Sequence, residues 1–480
     1  MCKHLSIKPI IPMILLATSQ VTLAYHTRPF SNSFESVLLC VSLLTYVKFS
    51  EKATNKLAFR LGMVFSLGIF TRITFPLYAL PIGIALIYQA YKQSDNINQF
   101  TAFIFSLTFG FVSFSALNII VDSVFYGTLS FTVNGQSFKN VSHVFTTLFN
   151  PTSLASVRSY GDIVITPINN FLYNSKVENL AQHGLHPRFT HFAVNFPLLF
   201  GPLAIFGLLY IPNALSKIAK SPNAHVFYVL LGVLLSGLVG LSIIPHQEAR
   251  FLCPLLVPLI LIYTWRENQY SISVYFWLLW IVFNIVTTYI FGVVHQGGVI
   301  PAVGFLQRQT TGLHDCHLVS TGDLACTVGE TNIETVEYSE FSTTTNMIFY
   351  KTYMPPQHLL TTPKESKSHH VRVLDFSSNL EDAVAEMVNR PGVTLRHTKT
   401  TMEVDFAKSS DTEFERTLLV IPGFVPLPKV EGHRYLLMAT FGPHLSFDDM
   451  DKVMENASAD SSLSCYLSHL LRIIIRYTKL

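Results

Sequence analysis

The stretch AHVFYVLLGVLLSGLVGLSIIPHQEARFLCPLLVPLILIYTW, residues 224–265, sets two apolar runs on either side of one polar knot. The first run, 224–244, reaches the roughly 20 apolar residues that a helix needs to cross the hydrocarbon core of a bilayer. The second, 251–265, is shorter. Between them Pro245-His246-Gln247-Glu248-Ala249-Arg250-Phe251 concentrates polar and charged side chains. A charge at the centre of a membrane helix costs roughly 2.5–3.5 kcal/mol on insertion scales, so a knot at the membrane boundary needs a reason. It is either an interfacial loop with a snorkelling Arg, or a ligand site in which His246, Gln247 and Arg250 offer donors to a phosphate and Glu248 orients them.

Working outward, the same apolar pattern recurs and predicts nine membrane segments near 9–25, 34–49, 57–75, 76–91, 100–121, 192–212, 224–244, 251–265 and 272–294. The second, fourth and eighth are short enough to be tilted, kinked or surrounded by protein. With a cytoplasmic N-terminus, Lys3, Lys8, Lys48, Lys52, Lys56, Lys92, Lys217, Lys220 and Arg266 fall on the cytoplasmic side. The short opposite loops keep only Arg28 and Arg250, which is the positive-inside bias. The long loop 122–191 is then luminal, as are the glycosylation sequons at Asn140 and Asn456. Residues 3–19 are alternatively readable as a cleaved signal peptide.

Of the 480 residues, 49% are hydrophobic and 13% charged, about half the charge of an ordinary soluble protein. That charge is uneven: residues 1–294 carry 17 Lys/Arg and 8 Asp/Glu, residues 295–480 carry 16 and 22. A single soluble domain, a disordered chain and a disulfide scaffold are excluded, and a net charge of +3 does not argue for a nucleic-acid partner. The reading is a polytopic α-helical membrane protein, residues 1–294, followed by a luminal α+β domain, 295–480. In that domain 371–376 and 416–421 read as strands, 380–388 as a helix and 361–370 as a polar loop. The apolar tail 463–480, with Arg472 and Arg476 inside it, is too short to span and is expected on the bilayer or packed on the domain. Cys40 and Cys253 read as packing thiols. Cys316 and Cys326, ten apart in a polar luminal stretch, are candidates for a disulfide.

Further polar clusters fall on the predicted luminal side. Arg28, Asn32 and Glu35 open the second segment, and Asp122 with Tyr126 follows the fifth. His183, His186, Arg188 and His191 precede the sixth, and His295 with Gln296 follows the ninth. Such clusters suggest one site built from several helices. The three histidines at 183–191 lack a carboxylate or Cys to complete a metal site, so no metal is expected.

The motifs H-Q-E-x-R-F at 246–251, R-P-F-S-N-S-F-E at 28–35, D-S-x-x-Y-G at 122–127, N-L-A-Q-H-G-L-H-P-R-x-T-H at 179–191, H-Q-G-G-V-x-P at 295–301 and Y-K-T-Y-M-P-P at 350–356 together resemble the dolichyl-phosphate-mannose-dependent mannosyltransferases of glycosyltransferase family 22. The resemblance implies a GT-C type fold in the endoplasmic reticulum membrane, a multi-pass topology, dolichyl-phosphate-mannose as donor and no cofactor. Within the family, H-Q-G-G and T-Y-M-P-P most resemble members that add the fourth mannose to glycosylphosphatidylinositol (GPI) precursors. The implied reaction is inverting α-1,2 transfer onto the third mannose of a GPI glycolipid.

Family members begin with a membrane helix and a luminal loop carrying an H-P-D-E-like motif, whose Asp is the expected base. No such motif precedes Arg28, so the chain is expected to lack that front end and its base, leaving the catalytic residue unknown with Asp122 and Glu248 as fallbacks. Three alternatives stand beside this reading. One is a sister transferase acting on the third GPI mannose or on N-glycan precursors, and another is a truncated, non-catalytic membrane protein. The third is a polytopic transporter, against which the large luminal domain and the lack of an inverted repeat argue.

Overall fold

The computed structural model describes residues 1–480 except 6, 134–135, 138–156, 182–184, 219–220, 266–271, 312, 329–340, 361–368, 377–379, 394–402, 428–432, 447–469 and 479–480. Two compact units divide it, Met1–Thr288 and Tyr289–Leu480, where the sequence reading drew its boundary after residue 294.

The first unit is helical. Helix α1 (Ile10–Thr18) is followed by a wider π-helical turn, Val21–His26, and then by α2 (Ser31–Glu51), α3 (Asn55–Thr71), α4 (Phe75–Lys92) and α5 (Ile97–Phe125). Polar caps start the helices where apolar runs begin: Thr54 accepts from the Leu57 N–H at 3.3 Å, and Asn96 from the Gln99 N–H at 2.9 Å. Helices α3 and α5 approach closely because Gly62 and Gly110 lie at their crossing. A Cβ at Gly62 would run into the Leu107 carbonyl, and one at Gly110 into that of Phe59. Most of the remaining surface of α5, including Phe105, Phe109, Val112, Leu117 and Ile120, is exposed and apolar, as a lipid-facing helix requires.

After α5 a small antiparallel sheet, β1 (Leu129–Val133) between β2 (Gln136–Ser137) and β3 (Val157–Gly161), leads to the short helices Thr166–Asn174 and Val177–Ala181. The chain then runs His191–Phe200, bends by 111° at Gly201, and continues from Pro202. Gly201 has φ +49°, a conformation that L side chains rarely adopt, and the Phe283 ring occupies the place of its missing Cβ. Ala224–Ile243, a 3-10 stretch Ala249–Leu255 running into Leu256–Thr264, and Val274–Tyr289 complete the unit.

Nine crossings were expected. Among the described residues four helices are long and apolar enough to cross a bilayer: Ser31–Glu51, Ile97–Phe125, Ala224–Ile243 and Val274–Val294. A fifth arises if the bent pair counts as one span. The other segments form helices that are shorter or less apolar. The first, for example, breaks at Ser19, and the eighth winds as 3-10 helix through Pro254 before becoming α-helical. Hydropathy alone does not see these breaks.

In the second unit an eight-stranded sheet is built around β9 (Glu413–Pro422). One edge of β9 pairs in parallel with β6 (Ser342–Phe349), which pairs in parallel with β7 (His369–Asp375). Its other edge is shared by β11 (Leu471–Thr478) and β8 (Glu403–Lys408). Beyond these lie β10 (His433–Phe441) on one side, and β5 (Leu324–Val328) with β4 (Leu313–Leu318) on the other. Cys316 and Cys326 join β4 to β5 as a disulfide. Alternation along β9 sends Leu418 and Val420 to one core with Val299, Ala302, Val303 and Leu306 of helix Val299–Thr311. Leu419 and Ile421 go to another with Ala383 and Met387 of helix Leu380–Asn389. Both faces of the central strands are covered, which is why β9 reads as a continuous apolar run.

Of the two placements read for the tail, residues 471–478 take the one on the domain, as a strand inside the sheet between β10 and β9. The polar loop over 361–370 stops sooner: His369 and His370 begin β7, while 361–368 lie outside the described residues.

Candidate active site

Glu35 is fully buried in the second turn of α2, and a buried carboxylate demands partners. It finds Arg72, which follows α3. Arg72 Nε lies 3.2 Å from Oε2, and the Thr74 hydroxyl donates to Oε1 at 3.0 Å. Arg72 also donates from Nη1 to Ser31 Oγ at 2.9 Å and lays its guanidinium 4.9 Å from the Phe251 ring centroid. Asn32 is buried one turn before Glu35, and Arg28 is half-buried ahead of the helix, its carbonyl accepting from Ser33 Oγ at 3.2 Å. Sequence reasoning missed Arg72 because it was counted inside the apolar segment 57–75. Its one signal is a cation interrupting that run.

The H-Q-E-A-R-F turn meets this cluster. His246 Nε2–H donates to Glu248 Oε1 at 2.9 Å, and Arg250 Nε contacts the other carboxylate oxygen. Burial by itself pushes the Glu248 carboxyl up, but the hydrogen bond from His246 and the charge of Arg250 outweigh it and hold the group at about 2. The Arg250 side chain is 38% exposed and lies over the Phe30 ring at 5.3 Å. Among the described residues its outer nitrogens Nη1 and Nη2 have no hydrogen-bond partner. Tyr78 anchors the turn from α4, donating its hydroxyl to the Phe251 carbonyl at 2.6 Å.

Gln247, read as a phosphate ligand, is instead a structural brace. It is 2% exposed; its Nε2 donates to the Ser242, Ile244 and Arg188 carbonyls and its Oε1 accepts from the His191 N–H at 2.7 Å. Every position on the amide is taken by backbone that no helix satisfies. His191, read as lining the site, is likewise buried, with Nδ1 accepting from Asn195 at 3.1 Å. His186 is exposed, 6.0 Å from the His246 ring, and accepts the Gln247 N–H at 3.3 Å. Arg188 donates to the Ile243 carbonyl. His183 lies outside the described residues, as do Asn140 and Asn456. Among the described residues no cluster of His, Cys, Asp and Glu could hold a metal ion.

Asp122 accepts from the Thr166 hydroxyl at 2.5 Å at the end of α5, where Tyr126 is exposed. His295 and Gln296 belong to the second unit. There the Leu445 carbonyl accepts from His295 Nδ1 at 3.1 Å, the Tyr353 hydroxyl donates to His295 Nε2 at 2.7 Å, and Gln296 Oε1 accepts from the Tyr353 N–H at 3.4 Å. The fold thus joins H-Q-G-G to Y-K-T-Y-M-P-P within the second unit, as it joins R-P-F-S-N-S-F-E to H-Q-E-A-R-F within the first.

Residues 2–327 match the Alg9-like mannosyltransferase family. GPI mannosyltransferase 4 of Candida albicans is 36% identical over 309 residues, covering 62% of this chain and 53% of its own length. The Aspergillus oryzae protein of the same name is 33% identical over 365 residues, 74% of this chain and 56% of its own length. That of Schizosaccharomyces pombe is 27% identical over 454 residues, 92% of this chain and 70% of its own length. The chain spans about half the length of the first two. No solved structure matches it. The apolar helices and this family together make it a multi-pass membrane glycosyltransferase-family protein. Because the match covers well over half of its residues, the chain belongs to the Alg9-like mannosyltransferase family.

Proposed function

We propose that the chain serves transfer of an α-1,2-linked mannose from dolichyl-phosphate-mannose to the third mannose of a GPI precursor, in the endoplasmic reticulum membrane and on a GT-C type scaffold. The observation that carries this reading is the Arg250 guanidinium, held by Nε against Glu248 with its outer fork open, beside His246 and between apolar helices. A guanidinium fork matches two phosphate oxygens, and its place between membrane segments suits a phosphate carried on a lipid. The names of the relatives supply the acceptor class.

A sugar on a lipid phosphate already has a leaving group, so the proposed reaction uses no nucleotide, metal or other cofactor. His246 and Arg250 bind the phosphate and stabilise the charge that grows on it as the glycosidic bond breaks. Direct displacement converts a β-linked donor into an α-mannoside. The acceptor hydroxyl must lose a proton during attack. Glu248 is a poor base, since the hydrogen bond from His246 and the charge of Arg250 hold it far below the useful range. Asp122 is the remaining described candidate of the two considered.

The test is expression in cells unable to add the fourth GPI mannose, followed by mannose labelling and separation of GPI glycolipids. Four-mannose species should return with the chain and disappear with Arg250→Ala. Restoration of a three-mannose GPI step or of N-glycan precursors in the corresponding deficient cells, without four-mannose product, would reassign the acceptor.

A further inference from the structure

We propose that Arg72 and Arg250 form a two-guanidinium clamp for the phosphate of a lipid phosphodiester, with Glu35 and Glu248 as their positioning residues. The proposal rests on the phosphate reading of the H-Q-E-A-R-F turn and deepens it.

The two arginines are held alike. Each meets a carboxylate through the inner nitrogen Nε: Arg72 with Glu35 at 3.2 Å, and Arg250 with Glu248. Each lies face-on to a phenylalanine ring, Arg72 over Phe251 at 4.9 Å and Arg250 over Phe30 at 5.3 Å. The supports are interleaved. Phe251, beneath Arg72, is the residue after Arg250, and Ser31, which binds Arg72 Nη1, is the residue after Phe30 beneath Arg250. That interleaving brings both guanidinium groups to the meeting point of the 28–35 and 246–251 segments.

The direction of the open donors decides between a tie and a clamp. An ion pair that only fastens α2 to α3 would spend the outer fork of Arg72 on the carboxylate, since a bidentate contact is the strongest available. Here Nε stands 3.2 Å from Glu35 and donates its hydrogen bond to the Thr74 hydroxyl at 3.4 Å, Nη1 donates to the Ser31 hydroxyl, and among the described residues Nη2 has no hydrogen-bond partner. The Arg72 side chain is 18% exposed while Glu35 is fully buried, so the carboxylate holds the cation from behind. With Arg250 Nη1 and Nη2 also open, three N–H-bearing nitrogens are left for anionic oxygens.

Full-length protein in lipid nanodiscs is titrated with a water-soluble short-chain prenyl phosphate esterified with a methyl group to a phosphodiester and, separately, with inorganic phosphate, and thermal unfolding is recorded for every variant. Arg72→Lys keeps a cation beside Glu35 but loses the planar fork. The paired change Glu35→Gln with Arg72→Gln removes both charges without leaving either buried alone. Both should keep the unfolding temperature and weaken prenyl phosphate binding by about tenfold or more, as Arg250→Gln should. Wild-type affinity in both Arg72 variants, with binding lost in Arg250→Gln, would overturn the clamp and leave the phosphate reading standing. Wild-type affinity in all three would sink both. Inorganic phosphate should bind far more weakly than the prenyl phosphate; equal affinity would overturn the assignment to a lipid.

Discussion

Replacing Gln247 by Leu removes an amide that serves four backbone groups from two segments, leaving the His191 N–H and three carbonyls without it. Orphaned buried polar groups cost about 1–3 kcal/mol each before relaxation, so Gln247→Leu should destabilise the first unit by roughly 2–4 kcal/mol. The expected readout is a fall in protein abundance and unfolding temperature. Arg250→Ala removes a half-exposed ion pair, worth about 1 kcal/mol or less, and should abolish transfer with abundance nearly intact. If both variants lose abundance equally, Arg250 is structural as well. Glu248 adds a pH statement. Its folded-state value is depressed to about 2, so its stabilising contact is complete above the ordinary carboxylate range and is lost only as pH falls toward 2. Donor binding measured from pH 5 to 8 should therefore keep the same profile in Glu248→Gln, whatever its absolute affinity. A limb that vanishes with this substitution would show that Glu248 titrates there.

Among the elements, the α3–α5 crossing depends on Gly62 and Gly110, where backbone meets backbone. A side chain at either glycine must push the two helices apart, and with them the Ser66–Ser115 hydroxyl contact at 2.9 Å that joins α3 to α5. Gly62→Val should cost about 1–3 kcal/mol or more by overpacking, read as a lower unfolding temperature in detergent. Gly304, which has open space around its Cβ position, is the control; Gly304→Ala should be tolerated. Equal effects of the two would argue against close approach as the cause. The small residues in α3 were visible in the sequence, but nothing local says which helix they face.

At the scale of the molecule, the second unit buries two histidines in neutral form. Burial, helped by Arg416 and His370, pushes His369 down to about 3, and burial with His295 nearby pushes His444 down to about 4. Below the ordinary histidine range the unfolded chain takes up protons that the folded unit refuses. Stability is therefore complete above about pH 6.5 and declines as pH falls, by at most about 1.4 kcal/mol per pH unit for each histidine. Amide hydrogen exchange of β6, β7 and β11, compared at pH 7.5 and 5.5 after correction for intrinsic rates, should show weaker protection at the lower pH. His369→Gln should reduce that difference. Unchanged protection would mean that these histidines are charged or solvated in the folded unit.

Charge density and apolar run length are sums over neighbours in the chain, and they were sufficient to separate a membrane-embedded half from a sheet-bearing half and to mark Arg250, His246 and Glu35 as unusual. The bilayer-surface and domain-packed readings of the 463–480 tail could not be separated that way, because a short apolar run is equally suited to either until its neighbours are known. Tertiary packing alone turned Gln247 from a ligand into a brace, by placing orphaned backbone from residues 188–191 and 242–244 around it. It also raised Arg72 from an interruption in an apolar run to the partner of Glu35. The physical reason is that a hydrogen bond or ion pair depends on direction and on a few ångströms of separation, and those are set where helices distant in sequence cross, not by the residues on either side.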